Sequence, residues 1–493
     1  MRVAVLAVSL AALAAAAPAA AFTPTDPLAA KQWHLLDDHA FDFWAEPPAT
    51  LAPVKVAIVD SGVDCSLPDL QGRIVDRKSF VGGDACLDTE GHGTFIAGEI
   101  AANLDGQGIV GMAYTAQLLI AKVVKPDGSI PLAAEAAAIR WAANSGARVI
   151  NLSLGGVRDP VHTGRDTYSA VEASAVAYAY AKGALLVAAV GNGDEAFSEP
   201  WPYASYPAAL PHVIGVSALT RAGNVPAYSN RDPVFNDLSA PGSGIFSTLP
   251  LAMTAPRPLC ADQGFSDCGP DEYANPEGTS FAAPQVSAAA AVLFATNPSL
   301  TNGQTAALLE HSTDDVNAAT GCPRCTLLRD PLSGWGRLDV AKALAALAAG
   351  PLPAPDRFET NDDAGTQAFT LWGKDRTVTA TVDYYDDPID VYRIALTGRE
   401  RLTAKLAGAW PGASVHLVLW KPGTKRLADA PARTLRAAQA VAPGARQHLA
   451  FTAPGRGWYY VEVTVSKPGF GPYTLTLDKR WKVLRTFQRD RHA

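Results

Sequence analysis

The feature that most limits what this chain can become is a change of hydrophobic rhythm along it. Between residues 54 and 347, short β-branched and aliphatic runs alternate with longer alanine-rich stretches. The runs 54–59, 117–123, 149–154, 185–190 and 213–216 are too short for helices and lack polar alternation. They read as strands buried on both faces. The stretches 132–144, 168–182, 284–296 and 340–349 are long enough for helices. Strands alternating with helices predict an α/β fold, a mostly parallel sheet with helices on both faces.

Past Gly350 the rhythm changes. Residues 350–355 place Pro351, Pro353 and Pro355 in a stiff connector. Beyond it, 377–382, 391–396, 415–420, 458–465 and 473–477 alternate with a period of two between glycine and proline turns, the pattern of an antiparallel β-sandwich. The expected division is therefore a leader 1–21, an α/β region 22–349, a linker 350–355, a sandwich 356–478 and a basic tail 479–493. That tail is a solvated end or a contact for a cell-surface polyanion.

The leader carries Arg2, then an apolar run over 3–16 broken only by Ser9, then Ala19, Ala20 and Ala21. This reads as a signal peptide cleaved before Phe22, and hence as a secreted, extracellular protein. A retained anchor needs about 20 apolar residues, and Pro18 interrupts the run first. No later segment is long and apolar enough to span a membrane. With 41 basic against 48 acidic residues, a net charge of −7, nothing favours nucleic acid or an anionic membrane as a partner. Six cysteines suit an oxidising destination. Their spacing favours Cys65 with Cys86, Cys260 with Cys268, and Cys322 with Cys325; the last pair also fits a redox or metal role.

Three motifs carry chemistry. Asp60-Ser61-Gly62 ends the first strand, where open parallel sheets gather their ligands, although an acid before Ser-Gly also begins an ordinary turn. His92-Gly93-Thr94, followed by Ala97-Gly98, sets an imidazole at a helix start with small residues behind it. By contrast His212, between Pro211 and Val213, reads as a core or edge histidine. Gly278-Thr279-Ser280, followed by Phe281-Ala282-Ala283-Pro284, puts a serine at a helix N-terminus. Capping alone would explain the serine, but not the small residues around it, which allow a substrate to approach closely. The helix dipole there favours a developing negative charge.

Taken together, these motifs resemble the subtilisin-like serine peptidases over about 22–347. The resemblance implies a serine endopeptidase with Ser280 as nucleophile, His92 as general base and Asp60 orienting the imidazole. It implies Asn192, in Gly191-Asn192, as the side-chain donor to the oxyanion, beside the Ser280 N–H; an asparagine turning the chain is the plainer reading. Substrate would pair as an extended strand along Ser153, Leu154, Gly155 and Gly156 on one side and Asp127, Gly128 and Ser129 on the other, and Gly191 is a further substrate-binding residue. The N-terminus from Phe22 looks like that of the thermitase branch. This implies a structural calcium ion held by Asp26, Asp69, Asn103, Asp105, Gln107 and Ile109. No catalytic cofactor is implied, and no partner beyond protein or peptide substrates, so a monomer is expected. The C-terminal region resembles the bacterial pre-peptidase C-terminal domain through 356–362, 387–396 and 457–463.

The chain departs from the family in two places. No inhibitory propeptide separates the expected cleavage site from the mature-like N-terminus, and an acidic, aromatic insert over 194–203 stands beside the expected specificity pocket. Two other readings remain: a non-catalytic binding protein on the same scaffold, and an esterase or amidase using the same triad.

Overall fold

The computed structural model describes residues 21–48, 51–350, 358, 361–384, 387–410, 412–427, 432–467 and 469–481. The leader up to residue 20, most of the proline-rich linker and the tail past 481 lie outside the described residues.

Seven parallel strands form the first sheet: β1 (Lys55–Asp60), β2 (Ile74–Ser79), β3 (Gln117–Lys122), β4 (Val149–Leu152), β5 (Leu185–Ala189), β6 (Val213–Leu219) and β7 (Leu238–Pro241). Their order is β2-β3-β1-β4-β5-β6-β7. The expected burial on both faces is borne out. In β1, Val56 and Ile58 join one core while Ala57 and Val59 join the other. In β5, Leu185 and Val187 likewise oppose Leu186 and Ala188. Helices α1 (His92–Ala101) and α4 (Thr279–Thr296) belong to the first core, and α2 (Leu132–Asn144) and α3 (Ala170–Ala181) to the second. Two further helices, α5 (Asn302–His311) and α6 (Val340–Ala349), pack beside α4.

Several elements differ from expectation. β2 escaped notice because its middle, Val75 to Lys78, is exposed and charged, as suits a sheet edge. β7 is short and ends in Pro241. α5 carries a capping box, Thr301 with Gln304, which was legible in the sequence. α4 begins at Thr279, five residues before the proline expected to open it. Pro284 lacks an N–H, so the Ser280 carbonyl has no helical donor. It accepts the Ser153 hydroxyl instead, at 2.8 Å.

Among the described residues the C-terminal region holds nine strands in two sheets: β8 (Phe369–Leu371), β9 (Asp375–Asp383), β10 (Ile389–Leu396), β11 (Glu400–Gly408), β12 (Val415–Trp420), β13 (Arg436–Ala440), β14 (Arg446–Thr452), β15 (Gly457–Val465) and β16 (Phe470–Trp481). The orders are β13-β12-β15-β10-β8 and β14-β11-β16-β9. All pairs are antiparallel except β10 with β8, a detail the antiparallel expectation lacked. One apolar core lies between the sheets, with Leu402, Ala404 and Leu406 of β11 facing Val461 and Val463 of β15.

This region meets the α/β part through specific contacts. His212, read from sequence as a satisfied core or edge residue, stacks on Tyr180 at 3.9 Å and pairs with Asp362 at 2.8 Å. His311 pairs with Asp383 at 2.9 Å, and Arg426 Nη1 donates to the Tyr206 hydroxyl at 2.7 Å. The disulfides are Cys65–Cys86, Cys260–Cys268 and Cys322–Cys325, as the spacing suggested. Among the described residues one helix, α4, is long and apolar enough to cross a membrane, and it is 89% buried inside the protein.

Candidate active site

β1 sits between β3 and β4, where the strand order reverses, and open α/β sheets bind ligands at such a switch point beyond the carboxyl ends of their strands. Asp60 is the last residue of β1 and is buried. Its carboxylate accepts the Ser61 N–H at 2.7 Å and lies 2.8 and 3.0 Å from His92 Nδ1. That arrangement leaves Nε2 as the free ring nitrogen.

Packing forces His92 into place. A Cβ on Gly93 would stand 2.1 Å from the Gly62 carbonyl oxygen, and one on Gly98 would stand 2.4 Å from Thr248 Oγ1. Only glycine permits α1 to approach so closely. Asp88, which sequence reasoning passed over, accepts the Thr94 N–H at 2.9 Å and the Ser61 hydroxyl at 2.9 Å. Ser61 Oγ in turn accepts the Gly93 N–H at 2.9 Å. An acid shortly before a helix start was the available signal. Burial lowers the pKa of His92, but the charge and hydrogen bond of Asp60, helped by Asp88 and Glu195, outweigh it and hold the imidazole above its ordinary value.

Ser280 occupies the first turn of α4, where backbone N–H groups lack intrahelical acceptors. Its hydroxyl donates to the Ser153 carbonyl at 3.2 Å, the reciprocal of the Ser153–Ser280 contact above. Asn192 Oδ1 accepts both the N–H and the hydroxyl of Thr279 at 3.1 Å. With that oxygen engaged, the amide is left to donate.

Asp60, His92, Asn192 and Ser280 all line one cavity of about 400 Å³. So do Gly128, Ser153, Leu154, Gly155 and Gly191, among the residues named from sequence. Asp127 and Ser129 do not. They turn to each other, Ser129 Oγ donating to Asp127 Oδ1 at 2.6 Å. Gly156 stands behind the lining, bridged to Tyr206. Sequence reasoning missed Glu90, Val124, Ile130, Ala189, Glu195, Ser205 and Thr279 as lining residues. Thr279 stands inside the Gly278–Ser280 motif, Glu90 two residues before His92 and Glu195 in the insert 194–203, so these were within reach; Ser205 arrives through the loop before Tyr206 and left no pattern.

A second cluster brings together Asp26, Asp69 and Asp105. Asp26 Oδ1 accepts the N–H groups of Asp105 and Gly106 at 3.1 and 3.0 Å, while its Oδ2 is buried without a partner. Asp69 Oδ2 accepts the Ile109 N–H at 2.8 Å. Burial, with Asp105 and Asp26 adding to it, pushes the Asp69 carboxyl up to about 6. The side-chain oxygen of Asn103 is taken by Arg73 Nε at 2.6 Å, so Asn103, like Gln107 and Ile109, would offer its carbonyl. Carboxylates together with backbone carbonyls are the donor types that a hard cation such as calcium takes.

Comparison with known proteins agrees with this architecture. The family model for the subtilase family matches residues 52–328. Thermitase of Thermoactinomyces vulgaris is 33% identical over 299 residues, covering 60% of this chain and 93% of its own. Subtilisin DY of Bacillus licheniformis is 34% identical over 254 residues, covering 51% and 81%. Among solved structures, sphericase superposes with a TM-score of 0.50 at 32% identity, covering 63% of this chain and 98% of that one. With the family's model covering more than half of its length, the chain belongs to the subtilase family of serine endopeptidases.

Proposed function

We propose that this chain is a secreted enzyme that cuts extended polypeptide segments through an acyl-enzyme formed on Ser280. The carrying observation is the 2.8 Å Asp60–His92 contact, opening onto a cavity that Ser280 and Asn192 also line. Ser280 turns about its Cα–Cβ bond from the Ser153 carbonyl to Nε2 of His92 and attacks the scissile carbonyl. His92 takes the hydroxyl proton and delivers it to the leaving amine, while Asp60 holds the ring in the tautomer that leaves Nε2 free. The oxyanion is met by the Asn192 amide and the Ser280 N–H, at the positive end of α4. Export rests on the leader 1–21.

Calcium is part of this reading. Asp26, Asp69 and Asp105, with the carbonyls of Asn103, Gln107 and Ile109, would hold it and tie the N-terminal segment to the loop after α1. The sandwich is read as a domain of the pre-peptidase C-terminal type, and the whole chain as a monomer.

A serine-directed fluorophosphonate, applied to the protein and to Ser280→Ala, tests the nucleophile, with a peptide library digested in parallel. Label lost in the variant together with peptide cleavage is expected. Label that survives the substitution rejects the mechanism, and cleavage of small esters without peptides would favour an esterase.

A further inference from the structure

The cavity has a one-sided charge. Its ionisable lining residues are Asp60, Glu90, His92 and Glu195, with no lysine or arginine among them. Asp60 is already engaged by His92 and the Ser61 N–H. Glu90 and Glu195 are not: among the described residues neither forms an ion pair with a lysine or arginine. Asp194 adds a further exposed carboxylate beside them.

Both glutamates sit on fixed backbone. The Glu90 N–H donates to Asp88 Oδ1 at 3.2 Å, and its carbonyl accepts the Tyr273 hydroxyl at 2.9 Å. Glu195 closes the short turn Gly193–Glu195, where its N–H donates to the Asn192 carbonyl at 3.2 Å and the Gly193 N–H donates to the Tyr228 carbonyl at 2.6 Å. Burial and Asp194 raise the Glu195 carboxyl, while the Asn192 amide and His92 pull against that rise. The carboxyl therefore lies close to both the imidazole and the oxyanion donor.

Two consequences follow from electrostatics. Carboxylates without a cationic partner at a cleft concentrate cations and repel acidic chains. A carboxylate beside Asn192 also opposes the negative charge that forms on the attacked carbonyl, unless a cation on the substrate offsets it. Val124, Ile130 and Leu154 supply aliphatic surface for the stem of such a cation.

We propose that Glu90 and Glu195 are specificity-determining residues and that the substrate class is basic, namely polypeptide segments carrying lysine or arginine beside the scissile bond. This rests on the peptidase reading above and names the substrate for it. The glutamates act on binding through attraction and on turnover through the oxyanion, so a basic substrate gains in both KM and kcat.

The test measures kcat/KM on matched peptides that differ only in Lys, Gln or Glu at positions flanking the cut. The Lys peptide is expected to exceed the Glu peptide by about tenfold or more at low ionic strength, with the gap narrowing as salt is added. Glu90→Gln and Glu195→Gln should each shrink that ratio, the double substitution should bring it near unity, and Glu195→Asp should recover part of it. Fluorophosphonate labelling of Ser280 in every variant shows that the site is intact. A labelled enzyme that cleaves all three peptides alike, or a ratio unmoved by the substitutions, overturns the proposal. Absence of both labelling and turnover in the unaltered chain overturns the peptidase reading, and the proposal with it.

Discussion

Asp60 and Asp69 lie close together in sequence and are similarly hidden, 2% and 6% exposed, yet they meet opposite surroundings. Asp60 faces donors, the Ser61 N–H and the His92 imidazole. Asp69 has the Ile109 N–H, but also two more carboxylates, Asp26 and Asp105. A buried charge must be paired or give up its ionisation. The first finds its donors within the fold, whereas the second leaves its carboxylate among like charges. A third solution appears between α2 and α3, where Glu135 and Glu172 are buried against each other. Burial and the neighbouring Glu172 hold Glu135 well above the usual carboxylate range, and burial lifts Glu172 to about 7. In that pair burial and the neighbouring carboxylate both favour the protonated form of Glu135.

Each contrast can be broken by substitution. Asp60→Asn keeps the shape but loses the charge and the tautomer control, and should lower kcat by about 10⁴-fold; full retention of activity would remove Asp60 from its role. Asn192→Ala should lower kcat by about 10² to 10³-fold, with KM little changed. For the Asp69 cluster, the measurement is thermal unfolding with calcium or with a chelator. Calcium at a hundredfold excess over its dissociation constant stabilises by about 2.7 kcal/mol, and Asp69→Asn should reduce that difference sharply. If the variant responds like the parent, the ion sits elsewhere.

The Glu135–Glu172 pair gives a pH signature of definite sign. Both folded carboxyls are raised above their unfolded values, so the stability they contribute is fully present below the unfolded pKa of about 4.3. It is lost as pH rises through the Glu172 value of about 7. Glu135→Gln keeps a donor toward Glu172 and removes the competing charge, so its Tm should overtake that of the unaltered chain above pH 8 by about 2 °C. The smallest effect concerns His92. Glu195 is among the groups that raise its pKa, so Glu195→Gln should move the acid limb of kcat/KM slightly toward lower pH.

Much of this was legible beforehand. The buried strands β1, β3, β4, β5 and β6 announced themselves because residues covered on both faces must be apolar without alternation. Asp60, His92, Asn192 and Ser280 stood out because glycine and other small residues surround them for steric reasons that the sequence displays. Illegible was β2, whose exposed charges hide its pairing; the start of α4 read two ways, because the motif placed Ser280 at a helix N-terminus while Pro284, tolerated inside the first turns, also reads as a beginning. Glu90 also escaped, since an exposed glutamate carries no mark until the cavity it faces is known; Glu195 was marked only as part of the acidic insert 194–203.

Sequence by itself determined the periodicity, hence the layers of the fold, and the positions where only small residues could lie, hence the motif that names the family. Those are local properties, written in residues close along the chain. Tertiary structure alone decided which groups each carboxylate met: an imidazole for Asp60, two like charges for Asp69, another buried glutamate for Glu135, and the Asn192 amide and the imidazole for Glu195. Ionisation depends on distances of a few ångströms between groups far apart in the chain, and only the packing of helices on the sheet sets those distances.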